Sequence, residues 1–141
     1  MSLDKLMGEF AAGLGVDPIP CDEGGVYRFA VDGTTVSFTE GGGYVHFIAA
    51  AGLLPEVGRE ALCRELLEAM FPGEGAEENV LTVETERDLV CLYRREPVEG
   101  LELPLFLEAF RSFGESLVKW RDRLVDYSPA DGGKTDGFVQ V

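Results

Sequence analysis

Histidine, cysteine, basic charge and long apolar runs are all scarce in this chain, and each scarcity removes a class of function. The one histidine, His46, stands in no DxH or HxxxH spacing, so a metal centre or a histidine base would need partners assembled from distant segments. The three cysteines, Cys21, Cys63 and Cys91, are odd in number, widely separated and free of any CxxC spacing. That excludes a disulfide framework or a zinc module and fits free thiols in a reducing cytoplasm. Twelve Lys and Arg face 26 Asp and Glu, a net charge of −14. Polyanions such as nucleic acids and acidic membrane surfaces are repelled by such a chain, so neither is expected as a partner. The longest apolar run, "VHFIAAAGLLP", falls well short of the roughly 20 residues a membrane helix needs. The start of the chain is amphipathic and carries acids, unlike a secretory leader.

Catalytic motifs are missing too. "EGGGY" and "PGEGAE" are rich in glycine but lack the Lys-Ser/Thr of a phosphate loop, and they carry acids where phosphate needs donors. "CDEGG" and "TERD" have no calcium-loop spacing. Ser37, Ser112 and Ser116 sit in no nucleophile elbow. No catalytic residue, metal or cofactor is expected, and the chain reads as a non-enzyme.

What is present is the periodicity of a folded domain: 141 residues, 45% hydrophobic, suit one core. "LDKLMGEFAAGLG" places Leu3, Leu6, Met7, Phe10 and Leu14 on one helical side, stopped by Gly15. "VYRFAVDGTTVSFTE" alternates around Asp32-Gly33, a pair suited to the two-residue type I′ turn. That turn sets the register: Val31 opposite Thr34, Phe29 opposite Val36, Tyr27 opposite Phe38, with Arg28 and Ser37 on the other face. A third strand, about Tyr44 to Ala50, is apolar on both faces. It is therefore either covered on both sides or meets a partner. A second helix runs from about Gly58 to Met70, and "FPGEGAEEN" breaks it. Leu81 and Val83, then Val90 and Leu92, form a second hairpin turning near Glu86 and Arg87. The final helix carries a seam of Leu103, Phe106, Phe110, Phe113, Leu117, Trp120 and Leu124, with aromatic bulk suited to packing across a sheet. These elements predict a single α+β domain over 1–125, in the order α-β-β-β-α-β-β-α. Its sheet is mostly antiparallel and twisted, with helices packed on it. Residues 126–141 read as a flexible tail whose Phe138, Val139 and Val141 have no evident partner.

Three apolar helices are more than one face of a five-stranded sheet readily covers. The second helix poses the question most sharply, since Leu62, Leu66 and Met70 form one stripe that Cys63 and Leu67 widen. Periodicity alone favours the chain's own core there over an interface.

The ordered segments resemble the class I chaperones of type III secretion, the Tir chaperone family. "LDKLMGEFAAGLGV" resembles that family's first helix, and "CDEGGVYRFAVDGTTVSF" its acidic hairpin motif. "VHFIAAAGLLP" with "LCRELLEAMF" resembles its strand, Leu-Pro turn and second helix, although Met70 stands where asparagine is frequent. "LELPLFLEAFRSFGESLVKWRDRL" resembles the closing helix. The resemblance covers about Leu3 to Val125. It implies a cytoplasmic homodimer that binds the N-terminal region of a secreted effector in extended form, keeping it soluble and export-competent. It further implies effector contacts at Leu6, Met7, Phe10 and Leu14, with Phe29, Val36 and Phe38 behind them and more often core. It assigns the dimer interface to Leu62, Leu66, Leu67 and Met70, which reverses the preference drawn from periodicity. YbjN-like domains share this layout, so the alternative is an interaction or regulatory domain with no exported client.

Overall fold

The computed structural model describes residues 3–70 and 78–127; most of the expected break after the second helix, and the tail from residue 128 onward, lie outside the described residues. Eight elements follow the expected order: α1 (Leu3–Leu14), β1 (Tyr27–Val31), β2 (Thr34–Gly41), β3 (Tyr44–Leu53), α2 (Arg59–Ala69), β4 (Val80–Glu84), β5 (Leu89–Pro97) and α3 (Leu103–Val125). The strands form one sheet in the order β1-β2-β3-β5-β4, and every neighbouring pair is antiparallel.

The first hairpin has the register its turn demands, with Tyr27 opposite Phe38, Phe29 opposite Val36 and Val31 opposite Thr34. Asp32 and Gly33 both take positive φ, 48° and 80°, as a type I′ connection requires. Gly42 and Gly43 repeat the device between β2 and β3, at φ 63° and 85°. The hairpin of β4 and β5 is closed differently. The Glu84 carboxylate accepts the backbone N–H groups of Glu86 and Arg87 at 3.1 and 2.9 Å.

One face of the sheet carries the core. Val36 and Phe38 from β2, Val45, Phe47 and Ala49 from β3, and Val90 and Leu92 from β5 are all buried. α3 lies across them through Phe106, Phe113, Leu117 and Trp120. α1 shares that face. The Phe10 ring meets Phe29, Phe106 and Phe110 edge-on, with centroids 5.4, 5.2 and 5.1 Å away. Such edge-to-face pairs add about 0.5–1.5 kcal/mol each beyond their area burial. The cluster draws on α1, β1, β2, β3 and α3, so it ties the first helix to the last.

The same face holds a buried polar knot. Arg94 on β5 points inward opposite Phe47 and is only 9% exposed. It donates to Asn79 Oδ1 at 3.0 Å and to Glu96 Oε2 at 2.7 Å. Asn79, fully buried, donates in turn to Ser112 and Ser116 of α3, the latter at 2.9 Å. Near the far end of β3, a register irregularity between Ala50 and Gly52 lets α3 close in. A Cβ on Gly52 would stand 3.1 Å from Leu124 Cδ1. Tyr127, expected to lie in the tail, instead packs under Arg123 with its ring centroid 4.8 Å away. Its hydroxyl donates to Gly58 O.

No helix packs on the opposite face among the described residues. β3 alternates Val45, Phe47, Ala49 and Ala51 inward with Tyr44, His46, Ile48 and Ala50 outward. Ile48 is 43% exposed. Of the two readings open for this strand, cover on both sides does not hold within the described chain.

Candidate partner-binding surfaces

The residues expected to line an effector site on α1 are mostly interior. Leu6, Met7 and Phe10 are at most 2% exposed, because α1 and α3 share one sheet face and α1 must turn its stripe into it. Val36 and Phe38 are likewise buried and Phe29 is half-buried, which is the core placement the sequence favoured for them. Only Leu14, 48% exposed at the end of α1, is open to a partner.

α2 divides in the same way. Leu62 and Leu66, expected at a dimer interface, are core residues at 0% and 5% exposure. A step of one residue turns a helix by about 100°, so Leu67 stands out at 74% exposed. Cys63, Leu66, Leu67 and Met70 form one wall of a groove of about 290 Å³, and Leu81, Thr82 and Val83 of β4 form the other. β4 ends the sheet, and an edge strand presents unpaired backbone groups. Met70 Sδ accepts one of them, the Leu81 N–H, at 3.2 Å. Met70 thus serves as a strand-edge contact in this chain.

The outward sheet face holds a cluster that sequence reasoning missed. His46 Nε2 lies 2.9 Å from the Gly41 carbonyl and Nδ1 lies 2.6 Å from the Tyr93 hydroxyl. A carbonyl can only accept, so in the neutral ring Nε2 carries the proton and Nδ1 accepts from the phenol. The His46 and Tyr93 rings stack at 5.8 Å, and the Arg95 guanidinium sits 4.2 Å over the Tyr44 ring. The signal was present in "VCLYRRE": once Leu92 faces the core, Tyr93 and Arg95 alternate with it toward the outside. Cys91 belongs to this face but is largely covered, and its burial pushes the thiol above its ordinary range.

Among the described residues no group of three or more His, Cys, Asp or Glu is placed to hold a metal, and no helix is long and apolar enough to cross a membrane. Two surfaces of the described residues, a groove at a sheet edge and an open sheet face, have the shape to take an extended polypeptide.

No curated protein sequence is significantly similar to the chain, but solved structures share its fold. One is a chain of the ExsC–ExsE complex, at a TM-score of 0.68 and 17% identity, covering 91% of this chain and 100% of that one. Another belongs to the HopA1–SchA chaperone–effector complex, with a TM-score of 0.67, 16% identity and coverage of 84% and 91%. YbjN of E. coli, described as a putative transcription regulator, matches at 0.60 with 14% identity, covering 89% and 93%. Identities this low carry the fold alone. The family model is more specific: it matches residues 5–121, from α1 to the last turns of α3, and the chain belongs to the Tir chaperone protein (CesT) family.

Proposed function

We propose that the chain is a type III secretion chaperone. It binds the N-terminal region of a secreted effector in extended form and holds it soluble and ready for export. The observation that carries this reading is the family match across residues 5–121, which takes in every element of the domain. The surfaces support it physically. An extended peptide can add main-chain hydrogen bonds at a sheet edge while its side chains enter adjoining apolar surface, and the sheet offers such an edge at β1, at the end away from α2. The chain acts without catalysis and in the cytoplasm, as a homodimer. The exposed part of the α2 surface, Leu67 with Met70 and Cys63, is where the second copy docks. Leu62 and Leu66 support that surface from behind.

Co-expression with the secreted proteins of the same cell tests the reading. The expected result is one co-purifying protein whose N-terminal segment resists limited proteolysis only in the complex. Retention of none, or protection confined to a folded C-terminal domain, overturns it. YbjN among the structural neighbours keeps one alternative in view, an interaction or regulatory domain without an exported client. That alternative predicts a co-purifying protein which is not exported.

A further inference from the structure

We infer that the open face of the sheet is a second contact surface for the client, and that it selects a segment placing one carboxylate between aliphatic side chains. This inference rests on the chaperone reading and adds a site, and a client chemistry, which that reading does not contain.

The argument begins with charge. The sequence has 26 acids among 141 residues, yet the outward positions of the three central strands carry none. The acids of these strands, Glu40 and Glu96, point to the core side: Glu40 bonds the Leu3 N–H and Glu96 pairs with inward Arg94. Arg95 is the one residue with a fixed charge on that central surface. Other arginines are engaged elsewhere, Arg28 with Asp22, Arg59 with Asp88, Arg111 with Glu108 and Glu115, and Arg123 with Glu65. Arg95 makes no ion pair among the described residues and lies on the Tyr44 ring. That contact orders an exposed guanidinium whose N–H groups have no carboxylate partner among the described residues.

The neighbours of Arg95 define the rest of the site. His46 is its cross-strand partner, and Ile48 is the partner of Tyr93. His46 is tethered at both ring nitrogens, so the surface is set before a partner arrives. Val80, opposite Tyr93 on β4, is 46% exposed and extends the apolar floor beside Ile48. Positions two apart along a strand lie about 6.8 Å apart on one face. A client segment running along the strands therefore sets an aliphatic side chain over Ile48 and Tyr93 at one position. Its carboxylate meets Arg95 two positions on. The net charge of −14 repels a strongly acidic client at long range, so one carboxylate in an otherwise neutral or basic segment is the composition that fits. A second copy of this chain fits less well, since its charge of −14 is the same.

A displayed library of random 12-residue peptides, selected against the immobilised full-length protein, tests this. The expected winners carry one Asp or Glu two positions from an aliphatic residue. Two of them, synthesised with a fluorophore, are expected to bind Arg95→Glu at least tenfold more weakly than wild type and Arg95→Lys within a few-fold. Repeating the selection on Arg95→Glu should exchange the acid for Lys or Arg. Circular dichroism establishes that both variants fold, which the exposure of Arg95 makes the expected outcome. Winners that bind wild type and Arg95→Glu equally overturn the inference while leaving the chaperone reading intact, with the client site on another surface. Loss of dimer mass in Arg95→Glu by light scattering overturns it too, since the face then belongs to a second copy. Failure of both this selection and the co-expression experiment removes the chaperone reading itself.

Discussion

At the scale of single residues, the fold depends most on polar groups whose partners lie far away in sequence. Asn79 is the clearest case. It bridges Arg94 to α3 and is fully buried, so Asn79→Ala strips an acceptor from a nearly buried guanidinium. A loss of about 2–3 kcal/mol is expected, read as a lower urea midpoint with an unchanged slope. Asp22 gives a pH-dependent counterpart at the surface. The hydrogen bond from Arg28, with those from the Val26 and Gly24 N–H groups, holds its carboxyl below the usual 3.8. A carboxyl depressed in the folded state stabilises the fold above its unfolded pKa, and that contribution disappears as pH falls through the folded one. Asp22→Asn should therefore lower the urea midpoint at pH 7. The two proteins should converge at pH values below the ordinary carboxylate range, and a constant offset down to the most acid pH would refute the assignment.

At the scale of elements, α2 separates two adjacent leucines by function. Leu66→Asp buries a charge among core side chains and should cost more than about 3 kcal/mol, giving an unfolded or aggregated chain. Leu67→Asp changes a side chain that is 74% exposed, so the monomer's stability should move by no more than about 0.5 kcal/mol. If the homodimer uses this face, light scattering should report half the mass for a protein that is still folded. The sequence could not distinguish these two leucines, because both belong to one broad apolar stripe and the boundary of burial depends on where β4 ends the sheet. The first hairpin was fully legible, since turn chemistry and a period of two specify its register without reference to anything distant. The elements and their order were legible for the same local reason. The fate of α1 was not: its stripe fits a core or a client equally well until Phe10 is seen among Phe29, Phe106 and Phe110. Tyr93 and Arg95 were hidden because their meaning comes from a cross-strand partner, His46, 47 residues from Tyr93.

At the scale of the whole molecule, charge and layering act together. All three helices lie on one side of the sheet, and that arrangement leaves the other side as a broad surface clear of acids at its centre. The net charge of −14 keeps such a protein soluble despite apolar groups left in water. The sheet itself joins two separately closed units. β1, β2 and β3 form a local meander and β4 with β5 a local hairpin, and only the β3–β5 pairing, running from Tyr44–Pro97 to Leu53–Leu89, unites them. A hairpin closes in about 1–10 μs, whereas this junction must first bring together strands separated by α2 and β4. The folding barrier should therefore be the zipping of β3 onto β5. Leu92→Ala, at that seam, should slow refolding in stopped-flow measurements by a larger share of its equilibrium cost than Leu117→Ala on α3, which packs on the joined sheet. The middle of the sheet is thus the last part to assemble. A chain emerging from the ribosome holds a finished meander well before it has the strand to complete it.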